Sequence, residues 1–410
     1  MSESQKSGFQ ALAQESRLYP QESLLAIKRG KKSFFIGLPK EISLQEKRIS
    51  LTPEAVALLV NNGHEIWIEA GAGLGAKFSD KEYSDAGAKI VYSPKEVYEA
   101  EAILKIEPPT MEEIEYLKPG KIIMSAFQSG NQSPEYVKAI CQKRILALGF
   151  EFIEDKVRGL PIVRAMSEIA GSTVMLIAAE YLSSVNDGKG VILGGITGVP
   201  PTKVLILGAG TVGEYAARAA LGLGADIQIF DNHIYRLRRI KHALAQQVYT
   251  STIDTVLLSE SLKGADVVIG ALRPENGKGR QVVTEEMVAA MKPGSIIIDL
   301  SIDHGGCIET SEMTTHNEPI FRKYDVIHYC VPNITSRVAR TATTALSNIF
   351  TPTILRAGEE GGIEEMIFKY KWFMRGVYAF KGSVTNEHIA HKFGFKCKDL
   401  ELLMAARYEG

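Results

Sequence analysis

Short apolar runs alternate with helix-like patterns along the chain from residue 34 onward. The first series of runs predicts strands at Phe34–Leu38, Glu65–Glu69, Lys89–Tyr92, Ala102–Ile106, Lys121–Ala126 and Arg144–Phe150. Between the first two runs, Thr52, Pro53 and Glu54 form a helix-start signal for a helix from Glu54 to Asn61. Alternation of this kind predicts a parallel sheet with helices on both faces.

A second series of the same kind begins near Lys203. Its strands are predicted at Val204–Leu207, Asp226–Phe230, Asp266–Ala271, Ser295–Leu300 and Val326–Cys330. The Gly- and Pro-rich stretch Gly194–Pro201 before it predicts a linker or a lid. After the last strand, Thr341 to Arg356 and the tail return to a helical pattern. The predicted fold class is therefore α/β, with two doubly wound domains.

Composition and charge narrow the kind of partner. The 410 residues suffice for two or three domains, and 45% hydrophobic with 23% charged residues is ordinary for a globular protein. The formal net charge is −1, so no basic field is available for nucleic acid or an anionic membrane. Small-molecule partners are therefore expected, and no metal site is predicted.

Several observations predict a cytoplasmic protein. The four cysteines are scattered without a C-x-x-C pair, as in reducing compartments. The apolar runs, such as Val174–Ala179, fall short of the ~18 residues needed to span a bilayer. Residues 1–33 lack the apolar core of a secretory signal and are interpreted as an extension, with one helix around Leu12 to Ile27.

A glycine-rich turn follows the first strand of the second series. Gly208, Gly210 and Gly213 form G-x-G-x-x-G between this strand and a helix predicted from about Val212 to Gly222. The three glycines allow a tight turn, close approach of a diphosphate and close helix–strand packing. The amide groups at the helix start would face the phosphates. Because of this strand–turn–helix context, the motif predicts a dinucleotide site.

Asp231 lies 18 residues after Gly213, at the end of the second strand of the series. A carboxylate there accepts hydrogen bonds from ribose hydroxyls and repels a 2′-phosphate, which favours NAD over NADP. A helix cap for the segment from Asn232 is the alternative role. Arg236, with Arg238 and Arg239, weakens the preference for NAD, although a solvated helix face is the simpler interpretation of these arginines.

Two candidate catalytic residues follow the strand Ser295–Leu300. Asp303 and His304 come where the chain leaves the carboxyl end of this strand, the edge at which open α/β sheets bind ligands. We expect Asp303 to act in acid/base catalysis or charge stabilisation, with an Asx turn before Gly305 and Gly306 as its structural alternative. His304 titrates near neutrality and is the second candidate.

Ordered motifs along the chain resemble one family. They are Ile36–Glu41, Arg48–Pro53, Glu69–Gly73, Met166–Gly171, Gly208–Gly213, Ile302–Ser311, Thr314–His316 and Cys330–Asn333. Over residues 34 to about 395 the chain is similar to the alanine dehydrogenase and proton-translocating transhydrogenase α-subunit family. The tail from Gly376 to Thr385, with no membrane helices after it, is similar to the dehydrogenase branch.

The resemblance implies a two-domain fold and roles for individual residues. An NAD-binding Rossmann domain (161–339) would be inserted in a discontinuous Rossmann-like substrate domain (34–160 and 340–410). Arg48 would bind a substrate carboxylate, for which a bidentate guanidinium is suited, although alone it also fits a surface loop arginine. Ser167 and Asn333 would lie against the nicotinamide, and Asp303 would be the catalytic aspartate. A homo-oligomer is also implied.

Two positions depart from the dehydrogenase pattern that the resemblance implies. The family histidine that serves as acid/base and pyruvate ligand is replaced by Gln128, which cannot titrate. The substrate-binding lysine aligns with Glu107, which would repel a substrate carboxylate unless Lys105 turns inward or Glu107 is protonated. The run from Lys105 through Thr110–Ile114 is closer to the transhydrogenase branch, as is Ser336-Arg337.

Two functions follow from this mixture. The first is an NAD-dependent amino-acid dehydrogenase, most simply converting L-alanine to pyruvate and ammonia, with a small amino or keto acid as substrate. In that case Gln128 predicts weak activity on alanine or another substrate, since general acid–base catalysis contributes ~10²–10⁴-fold. The second is an NAD(H)-binding protein without amino-acid turnover, such as a transhydrogenase-like subunit or a redox-sensing regulator.

Overall fold

A computed structural model describes residues 32–43, 45–127, 133–273 and 281–405 of the chain. The predicted helix from Leu12 to Ile27 and the candidate residue Gln128 lie outside these described residues.

The described strands form two sheets. In chain order they are β1 (Phe35–Leu38), β2 (Glu65–Glu69), β3 (Lys89–Val91), β4 (Ala102–Leu104), β5 (Ile122–Ser125), β6 (Leu146–Gly149), β7 (Lys203–Leu207), β8 (Asp226–Phe230), β9 (Tyr249–Ser251), β10 (Val267–Gly270), β11 (Ile296–Asp299), β12 (Ile320–Lys323), β13 (Val326–Tyr329), β14 (Val377–Phe380) and β15 (Ser383–Val384). Every strand predicted from the apolar runs is present, with ends that differ by no more than two residues.

The helices connect and cover these sheets. They are α1 (Pro53–Asn61), α2 (Asp80–Asp85), α3 (Pro94–Val97), α4 (Met111–Tyr116), α5 (Pro134–Gln142), α6 (Pro161–Leu182), α7 (Thr211–Gly222), α8 (Ile234–Leu244), α9 (Thr255–Gly264), α10 (Glu285–Ala289), α11 (Ala339–Glu359), α12 (Ile363–Lys369), α13 (Lys371–Met374), α14 (Glu387–Phe393) and α15 (Leu400–Ala405). Thr52 caps α1 as predicted, since its side chain accepts a hydrogen bond from the backbone N–H of Ala55.

The first sheet has the order β15-β14-β6-β5-β4-β1-β2-β3. Strands β1 to β6 pair in parallel, whereas β14 pairs antiparallel with both β6 and β15. The expectation of a purely helical tail is therefore wrong, because residues 377–384 form a hairpin that extends this sheet. A short apolar run such as Val377–Phe380 does not separate strand from helix by its periodicity, and pairing with β6 decides its conformation.

The second sheet has the order β12-β13-β11-β10-β7-β8-β9. Strand β7 lies between β10 and β8 and pairs in parallel with both. The strand order reverses at β7, which creates the crevice in which doubly wound sheets bind dinucleotides. The edge strands β9 and β12 were not predicted. The stretch from Gly194 to Pro201 is a tight turn closed by a bridge between Ile196 and Val199.

Each sheet is buried on both faces, as parallel sheets require. Ile122 and Met124 of β5 enter one apolar cluster, and Ile123 between them enters another. Likewise, Val204 of β7 packs on one side of the second sheet and Leu205 on the other. The near-continuous apolar runs recognised in the sequence follow from this two-sided burial.

Helix α6 is long and apolar enough to cross a membrane by length and composition, with a mean hydropathy of 1.4 over an 18-residue window. In this fold its residues Val174, Ile177, Ala178 and Leu182 are buried in the core beside the second sheet. Burial within the protein therefore accounts for part of the apolar character of the helix, since 44% of this window is buried. At Gly171, a Cβ atom would lie 2.4 Å from the carbonyl oxygen of Val212, so the glycine permits close packing of α6 on α7.

Strands of the first sheet come from residues before 150 and after 376, and those of the second from residues 203–329. We propose the domain boundaries on this division: a substrate domain at 34–160 and 340–410, and a nucleotide domain at 161–339. The long helices α6 and α11, which contact each other, begin at these boundaries.

Candidate nucleotide and substrate site

The glycine-rich turn joins β7 to α7. Gly208 has a φ of +113°, a conformation that favours glycine, and a Cβ atom there would lie 2.4 Å from the carbonyl oxygen of Ala271. A Cβ on Gly213 would lie 1.9 Å from the carbonyl oxygen of Gly208. Both glycines are thus required by the packing of the turn itself.

Gly210 differs from its two neighbours in the motif. A Cβ atom on Gly210 would meet no atom within 4 Å, so the space beside its backbone is open. Gly210 is the N-cap of α7, and within the described chain no side chain caps this helix. The amide groups of Thr211, Val212 and Gly213 form the first turn, where N–H groups lack intrahelical partners. Open space beside uncapped amides fits a diphosphate.

Asp231 connects the glycine-rich turn to the end of β8. One of its carboxylate oxygens accepts a hydrogen bond from the backbone N–H of Ala209 at 2.8 Å, and the other accepts from the N–H of His233 at 2.8 Å. Asp231 is buried. Helix α8 begins only at Ile234, so Asp231 does not cap its first turn. The carboxylate therefore lies at the turn, where a nucleotide ribose is expected.

Two arginines of α8 also approach the turn. Arg236 has its Nη1 3.8 Å from Oδ2 of Asp231, and its Nε donates to the hydroxyl of Tyr235. Arg239 donates to the carbonyl of Ala209 at 2.9 Å and forms an ion pair with Glu214 at 2.7 Å. Arg239 thus holds the turn, and Arg236 adds positive charge beside Asp231.

At the end of β11, Asp299 organises the chain that carries Asp303. Its oxygens accept hydrogen bonds from the backbone N–H groups of Ser301 and Cys307, both at 2.9 Å, and from the hydroxyl of Ser311 at 2.8 Å. The Asx-turn role considered for Asp303 is therefore filled by Asp299. Asp303 itself lies in a 3₁₀ turn, Ile302–His304.

Asp303 lies between the two halves of the structure. The residue as a whole is exposed, but protein atoms surround its carboxyl group, and its electrostatic neighbours include Glu107 and Arg48 from the first sheet. Burial in this cleft and the charge of Glu107 raise the pKa of Asp303 to about 7, against the opposing effect of Arg48. Such a carboxyl group exchanges a proton near neutral pH, as a general base requires.

The charged neighbours of His304 are basic, in contrast to those of Asp303. Partial burial and the charges of Arg273 and Lys392 lower its pKa. The imidazole is therefore neutral at physiological pH.

Arg48 lies in the loop between β1 and α1, and it is buried. Its Nε donates to Oε1 of Glu46 at 2.8 Å and its Nη2 to Oε2 at 2.5 Å. Nη1 donates to Thr335 Oγ1 at 2.9 Å and lies 3.4 Å from the sulfur of Met166. The Nε–Nη2 edge is thus taken by Glu46 and the two hydrogens of Nη1 by Thr335 and Met166, so among these contacts one N–H of Nη2 remains for a ligand.

Glu46 and Arg48 form a buried ion pair. Burial opposes ionisation of Glu46, but the charge and hydrogen bonds of Arg48 lower its pKa to about 2. The loop is also fixed by α11, since the backbone N–H groups of Ile49 and Thr52 donate to the hydroxyls of Thr343 and Ser347. The guanidinium is therefore preorganised.

Glu107 follows β4, the parallel neighbour of β1, and is buried beside Arg48. Its Oε1 lies 3.6 Å from Nη2 of Arg48. The backbone N–H of Glu107 lies 3.3 Å from Oε2 of Glu41, and the N–H of Ile106 donates to Oε1 of Glu41 at 2.5 Å. Glu41 thus positions the segment that carries Glu107.

Lys105 lies in a buried ion cluster. Its Nζ lies 3.1 Å from both carboxylate oxygens of Glu113 and 3.4 Å from Oε2 of Glu41. Burial raises the pKa of Glu41 to about 7, against the lowering by Lys105 and the N–H of Ile106. Lys105 is therefore occupied by its own carboxylates rather than by a substrate.

The remaining predicted residues lie where the two sheets meet. Asn333 precedes the 3₁₀ turn Ile334–Val338, whose Thr335 contacts Arg48, and its carbonyl oxygen lies 3.3 Å from Nε2 of His316. Ser167 lies on α6 beside Met166, which contacts Arg48. Ser336 accepts from the backbone N–H of Lys47 at 2.8 Å. The structure thus places Met166, Thr335 and Ser336, which are close in sequence to Ser167 and Asn333, around the loop of Arg48.

Sequence reasoning missed several residues that organise the site. These are Glu41, Glu46, Glu113, Asp299 and Thr335. Glu41 and Glu46 lie within or next to the motifs that carry the family resemblance, and Asp299 ends a buried strand, but these signals do not show which cation or amide each residue contacts. Their partners come from other strands and loops, so only the fold identifies them.

A crevice at the strand-order reversal of one sheet, together with the charged residues Arg48 and Glu107 at the strand ends of a second sheet, is typical of two-domain α/β proteins that bind dinucleotides. The chain belongs to the alanine dehydrogenase/PNT family. The model of its N-terminal domain matches residues 37–170, and the model of its C-terminal domain matches residues 174–387.

Curated relatives match over most of their length. The chain is 38% identical over 362 residues to an alanine dehydrogenase of Bacillus subtilis, covering 88% of this chain and 95% of that protein. It is 39% identical over 357 residues to an alanine dehydrogenase of Methanococcus maripaludis, covering 87% and 95%.

Solved structures agree on the fold. An L-alanine dehydrogenase superposes with a TM-score of 0.81 at 33% identity, covering 87% of this chain and 98% of that one. A transhydrogenase from Sinorhizobium meliloti superposes with a TM-score of 0.73 at 23% identity, covering 86% and 99%, and this likeness concerns the fold alone.

Proposed function

We propose that this protein is an NAD-dependent dehydrogenase of a small α-amino acid, with the reversible deamination of L-alanine to pyruvate and ammonia as the first candidate reaction. The chain is an oxidoreductase of its family, and its relatives of 36–39% identity are alanine dehydrogenases. The observation that carries the proposal is the position of Asp303, which has a pKa near 7 and lies between the nucleotide sheet and the pair Arg48–Glu107.

The open space at Gly210, the uncapped start of α7 and the carboxylate of Asp231 fit a dinucleotide. Gly208, Gly210, Val212 and Gly213 would hold the diphosphate, and Asp231 the ribose. A bound nicotinamide dinucleotide supplies hydride acceptance. Ser167 and Asn333 would contact the nicotinamide side.

On the substrate side, Arg48 would bind the carboxylate of the amino acid through Nη2, and Nη1 would join it by exchanging its weak contact with the sulfur of Met166 for the ligand. Ionised Asp303 stabilises positive charge that develops at the substrate nitrogen and carbon, and orients the water that adds to that carbon. Asp303 then accepts a proton from this water, which its pKa near 7 permits, and returns it to the substrate nitrogen as the carbon–nitrogen bond breaks and ammonia leaves.

NAD is the proposed cofactor rather than NADP. The buried carboxylate of Asp231 disfavours a phosphate at the ribose 2′ position, although the guanidinium of Arg236 lies close by. Parallel titrations with NADH and NADPH, followed by nicotinamide fluorescence, test this preference. We expect NADH to bind at least tenfold more tightly, and equal affinities would contradict the assignment.

Turnover assays test the reaction itself. Absorbance at the reduced-nicotinamide band is followed with NAD and L-alanine, and with NADH, pyruvate and ammonium. Alanine- and pyruvate-dependent turnover is expected. Tight NADH binding without turnover on any amino or keto acid would overturn the dehydrogenase.

That second outcome defines the alternative, a nucleotide-binding protein without amino-acid turnover. One observation favours it: Lys105 is enclosed by Glu113 and Glu41, so it offers no charge to a keto acid.

The predicted cytoplasmic location and the homo-oligomer remain predictions from the sequence, and the molar mass measured by light scattering tests the latter.

A further inference from the structure

The guanidinium group of Arg48 is held by two residues from different parts of the fold. Glu46, two residues earlier in the same loop, accepts from Nε at 2.8 Å and from Nη2 at 2.5 Å. Thr335, which lies 287 residues later in the chain, accepts from Nη1 with its Oγ1 at 2.9 Å. A guanidinium group is planar and rigid, so contacts on two of its edges fix the orientation of the whole group.

Thr335 provides the stronger of the two contacts of Nη1. The other acceptor is the sulfur of Met166 at 3.4 Å, and a thioether is a weak acceptor. In the proposed function a substrate carboxylate replaces this sulfur contact, so the hydroxyl of Thr335 keeps Nη1 in place when the substrate binds. The hydroxyl is uncharged, and it therefore adds nothing to the negative charge that Glu46 and Glu107 place beside Arg48.

The 3₁₀ turn that carries Thr335 has further contacts on both sides. Thr335 is 6% exposed. The next residue, Ser336, accepts from the backbone N–H of Lys47 at 2.8 Å and so holds the turn against the loop of the guanidinium. At the far end of the turn, Arg337 donates to Glu180 of α6. Because these contacts do not involve the Thr335 hydroxyl, its removal should act on the guanidinium and leave the turn in place.

We propose that Thr335 is a positioning residue for substrate binding: its hydroxyl holds Nη1 of Arg48 so that the guanidinium is preorganised for the substrate carboxylate. A side chain that is already fixed loses less conformational freedom when it binds a ligand, so its affinity for the ligand is higher. The carboxylate takes no part in the bond changes, so the contact stabilises the ground state and the transition state equally and affects KM rather than kcat. This inference deepens the proposed function and rests on it for the identity of the ligand.

Steady-state kinetics of the full chain with L-alanine and saturating NAD test the inference. Thr335→Val replaces the hydroxyl by a methyl group of similar size. Its KM for L-alanine should rise roughly tenfold, while kcat stays within about twofold of the wild-type value. Thr335→Ser keeps the hydroxyl and should have a KM close to that of the wild-type protein. The affinity for NADH should be the same in all three proteins.

Thr202→Val is the matched control. Thr202 is 5% exposed, and its hydroxyl donates to the carbonyl of Ile192. It directly precedes β7, at the opposite end of this strand from the glycine-rich turn. The variant loses a buried hydroxyl contact far from Arg48, and it should keep the wild-type KM.

A wild-type KM in Thr335→Val, an equal rise in Thr202→Val, or a Thr335→Ser variant that behaves like Thr335→Val would overturn the inference. Failure of both Thr335→Val and Thr335→Ala to fold would also overturn it, because the hydroxyl would then serve the fold rather than the substrate.

Absence of turnover in the wild-type protein is a separate result, which overturns the proposed function. The same variants are then compared by calorimetric titration of pyruvate into the NADH-saturated protein. Roughly tenfold weaker binding in Thr335→Val alone would support the role of Thr335. Equal affinities, or no binding of pyruvate, would overturn it.

Discussion

The carboxylate of Asp231 accepts a hydrogen bond from the backbone N–H of Ala209 at 2.8 Å, across 22 residues of sequence. This contact joins the end of β8 to the middle of the glycine-rich turn. The residue predicted to bind a ribose therefore also fixes the loop predicted to bind the diphosphate. Changes at Asp231 should act on both parts of the nucleotide site.

Asp231→Ala should weaken NADH binding by ~10–100-fold, since hydrogen bonds to a charged group contribute ~1.5–3 kcal/mol. Fluorescence titration of NADH measures the effect. Asp226→Ala, at the exposed start of the same strand, is the control and should bind NADH normally. Unchanged affinity in Asp231→Ala would contradict the ribose role.

Gly210→Ala should weaken NADH binding without loss of stability, whereas Gly213→Ala should destabilise the fold. The Gly210 methyl group meets no protein atom within 4 Å, so stability should change by less than ~0.5 kcal/mol while NADH affinity falls at least tenfold. The Gly213 methyl group would lie 1.9 Å from a carbonyl oxygen, which should cost ~1–3 kcal/mol of stability. Thermal unfolding and NADH titration separate the two effects.

Gly222→Ala, at the end of the same helix in open space, serves as the control for both glycine variants. It should lose neither stability nor NADH affinity. Normal NADH binding by Gly210→Ala would place the diphosphate elsewhere.

Asp303→Asn should lower turnover by ~10²–10⁴-fold. In the wild-type protein, kcat/KM for alanine should rise with pH up to about 7 and level off above it, because Asp303 acts when ionised. The variant should lose this dependence. His304→Gln is the comparison variant, and its kcat/KM should still rise with pH. If only His304→Gln removed the rise, the assignment of the base would be wrong.

Asp303→Asn should also change the thermal stability, and the raised pKa of Asp303 fixes the direction of the change. The pKa of Asp303 is raised to about 7 in the folded state. Between about pH 4 and 7 the unfolded chain therefore binds fewer protons than the folded one. The free energy of unfolding consequently falls as the pH rises through that window. Asp303→Asn should therefore unfold at the same or a higher temperature than the wild-type protein at pH 8. A marked loss of thermal stability would show that the carboxylate has a structural role.

Lys105→Met should destabilise the protein by ~3–5 kcal/mol, because Glu113 and Glu41 would remain buried without their cation. The loss should be larger at pH 8 than at pH 5, since Glu41 has a raised pKa of about 7 and is protonated at the lower pH. Denaturant unfolding at both pH values measures it.

Lys118→Met, which removes an exposed partner of Glu99, is the matched control and should cost less than ~1 kcal/mol at either pH. A similarly small loss in Lys105→Met would mean that the buried cluster contributes little to the fold.

The sequence predicted the parts of the fold that depend on local pattern. Most strands of the two sheets, the cap at Thr52 and the turn at Gly208 follow from periodicity and from residue types with a defined backbone role, whereas the edge strands β9 and β12 were not predicted. The hairpin at 377–384 was missed because its first strand, β14, is specified by pairing with β6, which lies more than 220 residues earlier.

For the site, sequence alone determined which chemical groups are available: the glycines of the turn, the carboxylates of Asp231 and Asp303, the guanidinium of Arg48, and the exchange of a lysine for Glu107 that the family resemblance implies. Tertiary structure alone decided their partners. It placed Glu46 on one edge of Arg48, enclosed Lys105 between Glu113 and Glu41, and gave the turn-forming role to Asp299. Charges interact through space over a few ångströms, and these neighbours come from separate strands, so their pairing follows from the packed sheets rather than from spacing along the chain.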